Sequence, residues 1–237
     1  MSMKVLQNKS QIKDARKAMV GKRISSIELP IYSVLRKLGL IRGLKLGDYL
    51  KSWDVLESLS FLDQHVSRTE AILDIGCYAS EIIVALHKYG YNCLTGIDLN
   101  PSLEEMPYRE SIRYENQNFM HTEFDDASFA AITSISVIEH GFDGQKLLSE
   151  ISRLLLPGGY FIASFDYWPD KIDTNGLTFF GMDWLIFSKA DVSEFISLAA
   201  SYGLAPFSEL NFEAHEPPIN CAEKSYTFGW LVLKKVA

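Results

Sequence analysis

From residue 70 onward, short apolar runs alternate with amphipathic stretches, and this alternation restricts the fold more than any other feature of the chain. "EAILDIG" (70–76), "NCLTGIDLN" (92–100), "IRYENQN" (112–118), "FAAITSISVI" (129–138) and "GGYFIASF" (158–165) read as strands. Between them "SEIIVALHKYG" (80–90) and "FDGQKLLSEISRLL" (142–155) read as helices, the latter with an apolar stripe at Leu147, Ile151 and Leu154. Strands separated by helices form βαβ units, and therefore a parallel sheet with helices on its faces. Ser80 suits a helix N-cap, His87 and Lys88 suit the negative end of the helix dipole, and Gly90 suits the residue after the last turn. A third helix is expected over 188–203, and "FSELNFEA" (207–214) and "YTFGWLVLKKV" (226–236) alternate as two closing strands. The polar and aromatic stretch "DYWPDKIDTNGLTFFGMDWLIF" is long for a connection inside a compact domain, which predicts a lid or binding loop.

The N-terminal part has helical spacing instead. "LPIYSVLRKLGLI" and "GDYLKSWDVLESLSFLDQHV" predict a helical extension over residues 1–66 with Tyr49, Trp53 and Phe61 packed on a main domain over 67–237. Residues 1–51 hold twelve Lys/Arg against three Asp/Glu, the remainder eleven against twenty-seven. This split fits an arm for anionic partners, including a peripheral contact with an anionic surface. It equally fits a basic segment laid across the chain's own acidic body, which the scatter of its cations favours. A net charge of −7 and a pI near 5.3, without a recognition motif, argue against nucleic acid. No apolar run reaches the ~18–20 residues that a membrane span needs, and "MSMKVLQNKSQIKDARK" is too polar for a secretory signal. Cys77, Cys93 and Cys221 are far apart and lack metal-ligand spacing, so a reducing compartment, the cytoplasm, is expected and no metal.

Ligands of open parallel sheets sit beyond the carboxyl ends of the strands. "ILDIG" brings Asp74 and Gly76 there; Gly76 lets a ligand approach the backbone, and the next helix aims free N–H groups at the same place. Asp98 ends the next strand, 22 positions after Gly76, where a carboxylate accepts from both hydroxyls of a ribose. The plainer reading of Asp98 is a turn or capping residue before Asn100-Pro101. A dinucleotide loop carries further glycines against its pyrophosphate, whereas this one has Tyr78 and Ser80. The loop therefore suits a nucleoside without phosphates, which points away from NAD and towards S-adenosylmethionine.

From about 70 to 236 the chain resembles a class I S-adenosylmethionine-dependent methyltransferase. "ILDIGCYAS" resembles the family's glycine-rich first motif through Asp74 and Gly76, "GIDLN" its acidic second motif through Asp98, "FDDASFAAITSISVIEH" its fourth-strand segment and "RLLLPGGYFIAS" the approach to strand five. The resemblance implies a Rossmann-like α/β three-layer sandwich with a seven-stranded sheet of order 3-2-1-4-5-7-6, strand seven antiparallel. It implies that Asp74 and Gly76 line the cofactor's methionine portion, with Cys77 and Tyr78 of the same loop also on the cofactor, that Asp98 holds its ribose and that Leu99 packs on its adenine. Asn118 and Phe119 would meet the adenine edge, with Ser134 and Ser136 beside the methionine tail.

Methyl transfer from a sulfonium is an in-line displacement that depends mainly on positioning, and a base is needed only where the acceptor loses a proton. His140, after strand four, is one base, or a residue that merely shapes the pocket. Asp166 is the other, with Tyr167 and Trp168 as aromatic faces for the acceptor. The hydroxyl-binding and aromatic character of the 166–187 stretch suits a polyhydroxylated small molecule, a sugar or glycan precursor. The resemblance also implies that the extension closes over the cofactor, bringing Lys51 or Trp53 near the site. A rival reading, prompted by Tyr78, is a binding or scaffold protein that keeps the fold without the cofactor.

Overall fold

The computed structural model describes the chain except for residues 29–34, 37, 41–42, 142 and 237. The parallel strands form where their runs predict: β2 (Ile72–Ile75), β3 (Leu94–Asp98), β4 (Ile112–Asn116), β5 (Phe129–Ile135) and β6 (Leu155–Tyr167), following an N-terminal strand β1 (Met3–Val5). β2 pairs in parallel with β3 and β5, β3 with β4, and β5 with β6. A long last strand, β11 (Lys224–Lys235), then runs antiparallel beside β6 from Thr227↔Tyr167 to Lys234↔Tyr160. This is the expected 3-2-1-4-5-7 order, with the seventh position reversed.

The sixth position differs. Phe207–Ala214 forms no strand; its only ladder contact is a single bridge from Leu210 to Met3. Instead two short segments lie end to end along the free edge of β11: β1 opposite Gly229–Leu231 and β9 (Leu204–Pro206) opposite Leu233–Lys235. The start of the chain is therefore a strand of the sheet, not part of a helical extension. Three residues of β1 complete an edge that a sequence scan assigns to a longer local run. A third short strand, β10 (Ile219–Cys221), forms a hairpin with the start of β11.

Among the described residues five helices cover the sheet: α1 (Lys9–Gly21), α2 (Ser52–His65), α3 (Ile82–Tyr89), α4 (Gly144–Leu154) and α5 (Lys189–Ala200). Successive strand residues point to opposite faces, so Ile72 packs with α1, α2 and α3 while Leu73 packs with α4 and α5. Trp53 and Phe61 are buried in the first layer, as their spacing predicts, whereas Tyr49 is exposed. The helix expected over 29–41 lies largely outside the described residues. α1 starts at Asn8, whose side chain accepts from Ser10 and Gln11 N–H while Gln11 reaches back in a capping box. The N-cap of α3 is Glu81 rather than Ser80, and Gly90 ends that helix in the left-handed conformation. Among the described residues no helix is long and apolar enough to cross a membrane.

Candidate functional site

A cavity of about 900 Å³ opens at the carboxyl ends of β2, β3, β5 and β6. One end is made by the loop after β2. Gly76 adopts φ +70°, and a Cβ there would stand 2.4 Å from Val137 Cγ2, so only glycine fits. The other left-handed residue of the loop is Ala79 (φ 59°), not Tyr78. Tyr78 therefore sits without backbone strain; its ring lines the cavity and packs partly on the core.

Asp98 joins this loop to β3. Its Oδ2 accepts from Tyr78 N–H at 2.9 Å and its Oδ1 from Asn100 N–H at 2.8 Å. Each carboxylate oxygen keeps a second lone pair, so the turn role and a ribose role are compatible. Leu99, exposed at the rim, and Phe119 provide apolar surface beside it. Asn118 also lines the cavity, but its Oδ1 already accepts from Met120 N–H. A phosphate-free nucleoside fits this end, with a bare Gly76 backbone, a carboxylate with acceptor capacity left, and no ring of further amides for a pyrophosphate.

Other expected contacts stand behind this wall. Asp74 is buried; Thr133 Oγ1 donates to its Oδ1 at 2.7 Å, and its Oδ2 meets no donor in hydrogen-bond geometry. Burial pushes its carboxyl up to about 7, with the Thr133 and Ser80 hydroxyls pulling the other way. Cys77 turns its thiol into the core against Gly96, where a Cβ would come within 2.7 Å of Sγ, and its N–H is taken by Ile97 O. Ser134 is fully buried within β5, while Ser136, in the left-handed conformation, reaches the cavity. Of the expected loop contacts, Gly76, Tyr78, Asp98, Leu99, Asn118, Phe119 and Ser136 thus share one cavity, and Asp74, Cys77 and Ser134 support it from behind.

The other end of the cavity holds a buried charge cluster. Trp184 Nε1 donates to Asp166 Oδ2 at 2.8 Å, and Lys51 Nζ lies 3.5 Å from Asp166 Oδ1 and 4.0 Å from Asp54 Oδ2. The Lys51 ammonium also sits 3.3 Å from the centroid of the Phe228 ring. Burial alone would lower the Lys51 pKa, but Asp166, Asp54 and Glu139 outweigh it and hold the ammonium above its usual range. Burial pushes Asp54 up to about 6 against the pull of Lys51. Burial and the neighbouring Asp166 likewise drive Glu139 well above the carboxylate range, and its Oε2 has no partner. His140 is half-buried; burial and then Lys51 lower its pKa while Asp166 opposes, which leaves a neutral imidazole at pH 7.

Asp166 and His140 therefore meet at one end of the cavity, as their positions at the end of β6 and after β5 predict. Tyr167 and Trp168 do not join them. Tyr167 alternates to the opposite face, where its hydroxyl donates to Phe212 O, and Trp168 packs off the cavity wall. The aromatic wall comes instead from Tyr226 and Phe228, two apart on one face of β11, and from Phe179, Phe180 and Trp184 of the 166–187 segment. That segment folds back as a hairpin of β7 (Thr178–Phe179) and β8 (Met182–Asp183), with Phe180 exposed at its tip. The period-two alternation of "YTFGW" signalled the Tyr226 and Phe228 face, but not that it lines a site. Lys51 reaches the wall; Trp53 is sealed in the core. Among the described residues, no group of three or more His, Cys, Asp or Glu is arranged to hold a metal ion.

Residues 73–163 match the family model described as a methyltransferase domain. A ubiquinone biosynthesis O-methyltransferase of Coxiella burnetii is 28% identical over 113 residues, covering 45% of this chain and 48% of the relative, so the match spans about half of that protein. In structure, the chain is similar to a Burkholderia thailandensis 1,6-didemethyltoxoflavin-N1-methyltransferase solved with its acceptor and S-adenosylhomocysteine (TM-score 0.59, 16% identity, 78% of this chain and 79% of that one). It is also similar to a geranyl diphosphate C-methyltransferase of Streptomyces coelicolor A3(2) (TM-score 0.58, 18% identity, 88% and 99%). These likenesses establish the fold, and the family match falls on the strands that carry Asp74, Gly76 and Asp98. Residues 73–163 thus match a methyltransferase domain, and the chain as a whole has the fold of S-adenosylmethionine-dependent methyltransferases.

Proposed function

We propose that the chain methylates an oxygen of a neutral, hydroxylated ring, a sugar or glycan precursor being the first class to test. The observation that carries this reading is the Asp166 carboxylate, fixed by Trp184 Nε1–H and Lys51 at the foot of an aromatic wall. Asp98 and the bare backbone of Gly76 hold the cofactor, with Leu99 and Phe119 against its base. The cofactor supplies a methyl group already activated by positive sulfur. The protein's remaining task is to align the acceptor, exclude water and receive a proton. Rings of Trp184, Tyr226 and Phe228 offer faces to the acceptor. Asp166 receives the hydroxyl proton at its carboxylate, and the neutral His140 imidazole is the second acceptor within the same cluster. Lys51, 3.5 Å from Asp166 Oδ1, repels acceptors that carry their own cation there.

The experiment is transfer of labelled methyl from S-adenosylmethionine into separated sugar, nucleotide-sugar and phenol pools, with Asp166→Asn in parallel. Label in a hydroxylated pool that disappears with Asp166→Asn supports the reading; label confined to amines overturns it. Absence of S-adenosylhomocysteine binding would favour the non-catalytic alternative. The exposed Lys9, Lys13 and Lys17, on one side of α1, also support a peripheral contact with an anionic surface, tested by co-sedimentation with anionic against neutral vesicles.

A further inference from the structure

The N-terminal extension is fastened to the cofactor loop. Arg16 of α1 forms a two-pronged pair with Glu81, Nη1 to Oε1 at 2.7 Å and Nη2 to Oε2 at 2.6 Å. The pair is enclosed, with side-chain exposures of 10% for Arg16 and 1% for Glu81. Arg16 Nε donates to Ser52 Oγ at the start of α2, and Ser26 N–H donates to Glu81 Oε1 at 2.6 Å. Two further ties lie next to it: Gly47 N–H donates to Ala79 O at 2.7 Å, and Lys88 Nζ donates to Ser25 O at 2.9 Å. A Cβ at Gly47 would stand 3.0 Å from Glu81 Cβ, so the segment lies directly on the loop. Glu81 is both the N-cap of α3 and a wall residue of the cofactor end, and Ala79 is the left-handed residue of the loop.

We propose that Arg16 is a positioning residue for the cofactor: through Glu81 it fixes the Tyr78–Glu81 turn, so that docking of the N-terminal extension and binding of the nucleoside reinforce one another. This rests on the family's cofactor site and deepens it. The guanidinium fork matches the carboxylate in a way a lysine ammonium does not. Because binding at two coupled sites is reciprocal, cofactor binding must in turn hold the extension down.

The test measures S-adenosylhomocysteine affinity by calorimetry for the full chain, for Arg16→Ala, for Arg16→Lys and for the exchange Arg16→Glu with Glu81→Arg. The control is Lys4→Met, which removes the Lys4–Glu57 pair between β1 and α2 without touching the loop. Circular dichroism at low temperature confirms that each variant is folded. The expected result is a dissociation constant raised about tenfold or more in Arg16→Ala, raised less in Arg16→Lys, and close to that of the unaltered chain in Lys4→Met. Partial recovery in the exchanged pair would add support. In trypsin digestion, S-adenosylhomocysteine should protect the bonds after Lys22 and Arg23 in the unaltered chain and not in Arg16→Ala. Equal affinity in folded Arg16→Ala overturns the proposal, as does an equal loss in Lys4→Met. If the unaltered chain binds no S-adenosylhomocysteine, the cofactor reading itself fails, and that outcome is separate from the variant comparison.

Discussion

Trp184 Nε1 donates its hydrogen bond to Asp166 Oδ2 at 2.8 Å, joining the end of β6 to a loop residue eighteen positions later. The indole fixes one carboxylate oxygen, and Trp184 and Asp166 both line the cavity. Replacing it with phenylalanine keeps most of the ring and removes the donor. A hydrogen bond to a charged group contributes roughly 1.5–3 kcal/mol, so Trp184→Phe should lower methyl-transfer kcat/KM by about ten- to a hundredfold. Its S-adenosylhomocysteine affinity should stay unchanged. Loss of cofactor binding in this variant would contradict the separation of the two ends.

Asp98→Asn preserves shape and removes charge at the ribose end. Two charge-assisted bonds weaken, and the dissociation constant of S-adenosylhomocysteine should rise at least about tenfold. Calorimetry reads the affinity, and a thermal melt without ligand separates it from the smaller cost of weakening the Tyr78 and Asn100 contacts.

Gly76→Ala places a methyl group 2.4 Å from Val137 Cγ2 in a left-handed conformation. The conformation alone costs about 1–2 kcal/mol, and the contact adds to it. Both the melting temperature and cofactor binding should fall. Adding Val137→Ala should restore only the part due to the contact, so a full recovery would show that φ is not the constraint.

Asp54 and Asp74 have folded-state pKa values of about 6 and about 7, above the usual 3.8. Between pH ~4 and ~7 the folded chain therefore holds more protons than the unfolded one, and stability falls as pH rises through that window. Below it both states are protonated, the slope vanishes and the stability these groups give is fully present. In Asp74→Asn the loss of stability between pH 5 and 8, followed by urea midpoints, should shrink by roughly 1–3 kcal/mol. An unchanged pH slope would refute the assignment.

Phe180, 86% exposed, has φ 55° at the tip of the β7–β8 hairpin and lines the cavity mouth. Phe180→Gly relieves a left-handed aromatic and removes an apolar lip. The melting temperature should hold or rise, while the acceptor KM rises with little change in kcat. A fall in kcat alone would place Phe180 at the chemistry instead of the entrance.

The sequence by itself determined the parallel sheet and the placement of Gly76, Asp98, His140 and Asp166 at one rim, while the strand order through the antiparallel seventh position came from the family resemblance. Periodicity and strand ends are local properties, and the carboxyl ends of parallel strands must share an edge. It also marked the 166–187 stretch as a candidate binding loop, though it chose Tyr167 and Trp168 where Trp184 lines the cavity. That choice turned on pleat and chain reversal: one residue of register sends Tyr167 to the far face, and a hairpin returns Trp184 to Asp166. Only the tertiary structure decided that Met3–Val5 completes the sheet edge, that Cys77 faces the core, and that Lys51 and Arg16 lie on carboxylates far along the chain. Such contacts depend on which elements are packed together, and nothing in the local pattern of either partner encodes the distance between them.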